Sequence, residues 1–351
     1  MDKSSDSPTL TRRQFLYRLS TVGIYSALTI DALAETGEDP IESLFRETIV
    51  VDGVLYSLKR YDTQRTPNGH REIKRQTGID IATWSIFAER LDDTLQWLQS
   101  RRDLRLITTA RAIDEAHTAQ RFGILLYDQN IRGSGLGGSI GGLETRKAQG
   151  LRIFQIGYSD STEFGGGDNR KYSKLPLNQF GMEVVRELNR LRMIVDVSHT
   201  GRQTALDVTQ VSSAPVVATH CSARALTKHQ RAKHDDVLRE IAATGGVIGV
   251  MNVAKMIQRE SDVVTVDDYV AHIDHMVQTV GIDHVGFASD CWLDGSGVDD
   301  KKFGKLDNFL ASPERWKHVV RRLQRLGYSR DALQKLMGLN FRRVFQQILD
   351  P

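Results

Sequence analysis

Eight short apolar runs punctuate this chain, and the stretches between them carry helical periodicity. That alternation constrains the fold more than any other feature. The runs lie at residues 48–52, 79–86, 123–128, 152–157, 193–197, 215–219, 246–251 and 284–289, each of strand length and bounded by polar or turn-forming residues. Between them, residues 180–191 place Val184, Val185, Leu188 and Leu191 on one stripe, and residues 266–280 do the same with Val270, Ile273 and Val277. Strands alternating with helices in this number predict an α/β fold, a (β/α)8 TIM barrel, with a doubly wound open sheet as the alternative. Residues 313–349 predict two further amphipathic helices, separated by Gly327-Tyr328-Ser329 with Ser329 as an N-cap.

Chemistry collects where these runs end. His199 closes the fifth run and His220 the sixth, while Asp128 and Asp290 close the third and eighth. In a parallel barrel the C-terminal strand ends open into the active site, so two imidazoles in equivalent positions point to a metal held by neutral nitrogens. The carboxylates add metal-type or acid–base groups to the same rim. An enzyme is the expectation.

The start of the chain reads differently. Thr11-Arg12-Arg13-Gln14-Phe15-Leu16, a weakly apolar stretch over residues 19–33 interrupted by Asp31, and Ala32-Leu33-Ala34 form a twin-arginine export pattern. The expected organisation is a signal over residues 1–34, read by the twin-arginine export machinery, and one catalytic domain over residues 35–351 in the periplasm. No other segment is long and apolar enough to span a bilayer. The formal net charge of +3, to which Arg12, Arg13 and Arg18 contribute, points to no nucleic-acid surface.

Several other features carry weaker expectations. Cys221 follows His220 and Cys291 follows Asp290; a soft metal ligand, a disulfide and plain packing all remain open for them. Gly165-Gly166-Gly167 reads as a mobile rim segment able to act as a lid, and residues 133–142 as a flexible loop rather than a dinucleotide fingerprint. His272 and His275 are expected at a helix surface, remote from the strand ends.

Particular blocks carry a resemblance. Residues 180–191 running into Asp196-Val197-Ser198-His199, then residues 215–220, Ser222-Ala223-Arg224-Ala225-Leu226, residues 245–250, residues 283–290 and residues 338–345 are together similar to the membrane dipeptidase (renal dipeptidase) family. The resemblance implies an amidohydrolase-type barrel that cleaves dipeptides with two bridged zinc ions. It implies His199 and His220 as ligands of the second zinc, Arg231 as the group that holds the substrate carboxylate, and Asp290 as the carboxylate that orients or deprotonates water. Without the resemblance Arg231, in a run with Lys228, His229 and Lys233, reads as part of a solvated loop.

Departures from the family pattern matter equally. Where the family carries His-x-Asp after its first strand, this chain has Val54 and Tyr56, and neither replaces such ligands. The first metal site is expected to be absent. The bridging glutamate is replaced by Asp128 or Gln129, of which Asp128 brings the needed charge. The substrate-side histidine is replaced by Tyr158, which still donates a hydrogen bond to a developing oxyanion. One zinc ion on His199, His220 and Asp128, with water in a fourth position, is the expected centre. The expected function is metal-dependent hydrolysis of dipeptides or related small amides. A tailoring enzyme for an exported peptide-derived metabolite and a catalytically silent binding protein are the alternatives, and a homodimer is the family's common assembly.

Overall fold

Each of the eight runs forms a parallel strand: β1 Val51–Leu55, β2 Ile81–Ile86, β3 Phe122–Asp128, β4 Leu151–Gln155, β5 Ile194–Asp196, β6 Val216–Ala223, β7 Ile248–Val250 and β8 Val285–Phe287. They pair in chain order from β1 to β8. Backbone bonds just beyond β8 bring the sheet round to β1, with Asp290 N–H donating to Val54 O at 2.9 Å and Tyr56 N–H to Cys291 O at 3.1 Å. The sheet is a nearly closed (β/α)8 barrel rather than a doubly wound open sheet. This computed structural model describes residues 39–56, 69–86, 90–130, 135–258, 262–295 and 304–350. The chain divides into units of residues 1–43 and 44–351, and the barrel belongs to the second. The twin-arginine pattern lies outside the described residues, and no described helix is long and apolar enough to cross a membrane.

Strand limits differ from the apolar runs in an instructive way. β6 continues past residue 219 to Ala223, so His220 and Cys221 lie within it, because its last residues pair with a short strand at Ala232–Lys233. Another short strand, Leu104–Leu106, pairs with β3, and Val263–Val264 pairs with Lys305–Leu306. Two or three residues are too few to carry an alternating pattern.

The helices follow their caps. Gln179–Arg190 starts where the Asn178 side chain accepts from Gly181 N–H at 2.8 Å and buries Val184, Val185 and Leu188. Val266–Val280 opens on a Thr265–Asp268 capping box. Ser329 caps the second tail helix through Ala332 N–H at 3.2 Å. The tail is more segmented than expected: Arg315–Arg325, Arg330–Gln334, one wide turn at Lys335–Leu339, and Asn340–Leu349. Phe341 and Phe345 of the last helix are fully buried in the barrel cluster with Val51, Tyr127 and Val217, and a side chain at Gly286 would run into the Phe341 ring.

Two expectations are corrected, and an open one is narrowed. His272 is fully buried, accepting from Ala223 N–H and facing Ile257 O, each at 3.1 Å, because its helix turns that face onto β6. His275 does stay near the surface, 2.9 Å from Asp235. Cys221 and Cys291 are both buried and unpaired, and burial pushes their thiols up to about 12 and about 11, so no disulfide joins them. Gly165, Gly166 and Gly167 are buried, with backbone from residues 158–160, 172 and 176 filling the space their side chains would need, so the segment is a packed wall and not a lid.

Candidate active site

The ends of β5 and β6 are sewn together below the rim. Asp196, fully buried, accepts from Ser198 N–H at 2.6 Å and Thr219 N–H at 2.9 Å. Ser198 Oγ in turn accepts from His220 N–H at 3.1 Å. These bonds fix two neighbouring strand ends relative to each other, and the side chains that follow converge: His199 Nε2 and His220 Nε2 lie 3.1 Å apart, their rings inclined at 63°. Tyr158 stacks on His199 with ring centroids 4.3 Å apart.

The remaining ring nitrogens decide what those two Nε2 atoms do. His220 Nδ1 faces Thr219 Oγ1 at 2.9 Å, and His199 Nδ1 faces the Asp168 carboxylate at 3.4 Å. The Thr219 hydroxyl used as acceptor favours the proton on His220 Nδ1, and the nearby charge of Asp168 favours it on His199 Nδ1, with no hydrogen bond formed between those two. Both Nε2 atoms then present lone pairs to the same point, an arrangement that a cation between them resolves. Two nitrogens on one tetrahedral zinc ion, each at about 2.0–2.1 Å, stand about 3.3 Å apart, close to the spacing here. Burial, and then the charges of Arg231 and Lys233, hold both imidazoles well below their ordinary range, so they are neutral donors at neutral pH.

Arg231 is buried beside the pair. It donates through Nη1 to Ser198 O and through Nη2 to His220 O at 3.2 Å, and Nη1 stands 3.3 Å from Asp168. Its Nε has no hydrogen-bond partner among the described residues. Lys233 Nζ donates to Thr200 O at 2.6 Å, and burial, then repulsion from Arg231, lower its ammonium to about 8. Asp168 joins His199 to Arg231, yet no strand end announces it. The glycine triplet before it lets this loop pack against residues 158–160 and 200.

Asp290 enters from beyond β8 with a left-handed backbone, φ 50°, a conformation uncommon in non-glycine residues and most accessible to Asn and Asp. The holding groups are identifiable. Asp52 accepts from Ser289 N–H at 2.7 Å and is paired with the fully buried Arg315 at 3.5 Å, while Asp290 N–H is bound to Val54 O. Desolvation pushes the Asp290 carboxyl up to about 7 against the opposing pull of Arg231. Tyr158 feels the charges of Asp290, Arg231 and Asp168, and burial raises its phenol, so it is a proton donor at neutral pH.

The opposite rim does not supply a second metal site. Val54 is fully buried and Tyr56 is half exposed, packed edge-on against Trp292 at 5.1 Å. The Asp128 oxygens are engaged by Arg146 at 3.1 Å and by Asn130 N–H at 2.8 Å, and the main-chain carbonyl of Gln129 accepts from Gln155 Nε2 at 2.7 Å. Among the described residues no group of three or more His, Cys, Asp and Glu is placed to hold a metal, so none of Asp128, Asp168 and Asp290 completes a three-ligand site with the histidine pair. The described residues that would hold an ion are His199 and His220, one fewer than the three protein ligands of a catalytic zinc site.

Known proteins place this geometry in a family. The model of the membrane dipeptidase family (Peptidase family M19) matches residues 38–350. An uncharacterized dipeptidase, C965.12, of Schizosaccharomyces pombe is 33% identical over 202 residues, covering 56% of this chain and 47% of that protein. The chain thus spans about half or less of the length of the curated relatives it matches. Among solved structures, an amidohydrolase from Pseudomonas aeruginosa has a TM-score of 0.77 at 24% identity, covering 89% of this chain and 99% of that one. A metallo peptidase from Rhodobacter sphaeroides, liganded with a phosphinate mimic of the dipeptide L-Ala-D-Ala, has a TM-score of 0.71 at 20% identity, covering 86% and 99%. The barrel, the rim histidines in their sequence blocks and the match along nearly the whole described chain lead to one conclusion: this chain belongs to the membrane dipeptidase family of metallopeptidases.

Proposed function

We propose that the protein is a metal-dependent hydrolase of dipeptides or related small amides that carries one zinc ion on His199 and His220 and reaches the periplasm by the twin-arginine route. The observation that supports this most is the pair of neutral Nε2 atoms facing each other at 3.1 Å, each with its Nδ1 turned to an oxygen. When bound there, zinc supplies a Lewis acid and a water acidified toward neutral pH.

The chain's own residues divide the remaining work. Asp290, with a carboxyl near 7, takes the proton of the attacking water and returns it to the leaving amine, since a base titrating near the working pH is suited to both transfers. Tyr158 donates its phenolic proton in a hydrogen bond to the carbonyl oxygen as negative charge grows there. Arg231, fixed by two backbone carbonyls, offers Nε and its charge to the substrate carboxylate. Asp168 holds Arg231 and orients His199. The dipeptide mimic bound by the Rhodobacter sphaeroides relative makes dipeptides the first substrates to try.

A zinc or manganese titration against a dipeptide panel tests the reading. Metal-dependent turnover is the expected result. Metal binding without turnover would replace it with the tailoring enzyme, and neither binding nor turnover would leave a binding protein.

A further inference from the structure

Beside the histidine pair the protein keeps a run of positive charge that nothing in the proposed chemistry uses. A cavity of about 660 Å³ reaches from Asp168 and Lys233, both next to the pair, out to Arg170 and Arg224. A second, of about 680 Å³, shares Arg170, Arg224 and Gln230 with the first and extends past Lys228 and His229 to Lys255. The two adjoin at Arg170, Arg224 and Gln230, and the first comes nearest the histidine pair at Asp168, 3.4 Å from His199. The lining of the second includes no carboxylate among the described residues.

This charge is not matched as it is elsewhere. Arg190, Arg322 and Arg342 each meet a carboxylate, as does Arg202 on the wall of the first cavity, whereas no such ion pair is formed with a described residue by Arg170, Arg224, Lys228 or Lys255. Arg224 is also held in position, since its Nη1 donates to Lys228 O and to His229 O at 3.0 Å. Burial, then the charge of Arg231, and with smaller effect Arg224 and Arg170, lower the His229 imidazole against the opposing pull of Asp168. Cations gathered in a cleft with low-dielectric walls concentrate anions from solution.

We infer that the substrate carries an anionic group besides the carboxylate met by Arg231, and that this second group, a carboxylate or a phosphate, lodges among Arg170, Arg224 and Lys255. The inference rests on the histidine pair being the reactive centre, and it assigns the substrate class: acidic or phosphorylated small amides over neutral ones.

Calorimetric titration of the purified full chain with citrate and with inorganic phosphate tests the site without reference to turnover. Saturable binding of at least one is expected, weakened about tenfold or more in Arg170→Gln/Lys255→Gln and further by added salt. Stronger binding of citrate marks a carboxylate as the natural group, and stronger binding of phosphate marks a phosphate. Both residues are exposed, and Arg224→Gln provides a third variant should the pair fail to fold. Absence of binding by both anions, or binding that none of the variants weakens, overturns the site. On metal-loaded protein, Ala-Glu should exceed Ala-Gln in kcat/KM by about tenfold, a preference that the double variant erases; equal values overturn the substrate class. Anion binding without turnover of any dipeptide leaves the site standing and removes the hydrolase reading.

Discussion

The two halves of the barrel mouth have the same backbone and opposite chemistry. At the ends of β5 and β6, Asp196, Ser198 and Thr219 form a fully buried network that presents two imidazoles to one point. At the ends of β1 and β3 the equivalent positions hold a buried valine, an exposed tyrosine and an aspartate tied to Arg146. The parallel ladder continues through both halves, because strand pairing uses backbone groups and is indifferent to what the last side chain can bind. The shape of such a barrel therefore does not depend on its metal ligands, and the one-ion centre proposed above rests on the polar network beneath β5 and β6.

Substitutions can sharpen that contrast or break it. The largest effect is expected for His220→Ala, which should abolish zinc binding and reduce metal-dependent turnover to background, as read by elemental analysis and dipeptide assay; retention of the ion would place it elsewhere. Asp290→Asn should lower kcat by about 10²–10⁴-fold with metal content unchanged. Because the Asp290 carboxyl is raised to about 7, the wild-type rate should climb as pH rises through that value. The sign for stability is opposite: a raised carboxyl contributes stability below the ordinary carboxylate range that is lost as pH rises through about 7. Both dependences should vanish in Asp290→Asn, and an acid limb that persists would assign it to another group.

Thr219→Val removes the acceptor of His220 Nδ1, and zinc affinity should fall about 10–100-fold in a chelator competition. An unchanged affinity would detach the network from the metal. On the other side of the mouth, Asp128→Asn should leave zinc content untouched and lower stability by about 1–3 kcal/mol through the weakened Arg146 pairing, measured by urea unfolding. Loss of zinc in that variant would restore Asp128 as a ligand.

How much of this was legible in the sequence depends on the range of the contacts involved. The eight strands could be read because a buried strand writes itself as a local apolar run, and His199, His220 and Asp290 because each stands at or just after the end of one. Ser329 and the 266–280 helix were equally local. Asp168 was not legible: it reaches His199 and Arg231 from a loop, and only the packing of Gly165, Gly166 and Gly167 accounts for its approach. The engagement of Asp128 by Arg146, eighteen residues on, was hidden for the same reason. His272 was read as a surface residue because helical spacing does not reveal which stripe faces β6. The cationic cluster is a property of several loops at once, and appears in sequence only as scattered arginines and lysines.

The most direct measurement is the number of zinc ions held per chain after loading and removal of excess metal. A single ion that disappears in His199→Ala is the predicted result. Two ions per chain, or none, would contradict a centre reduced to the β5–β6 half of the mouth.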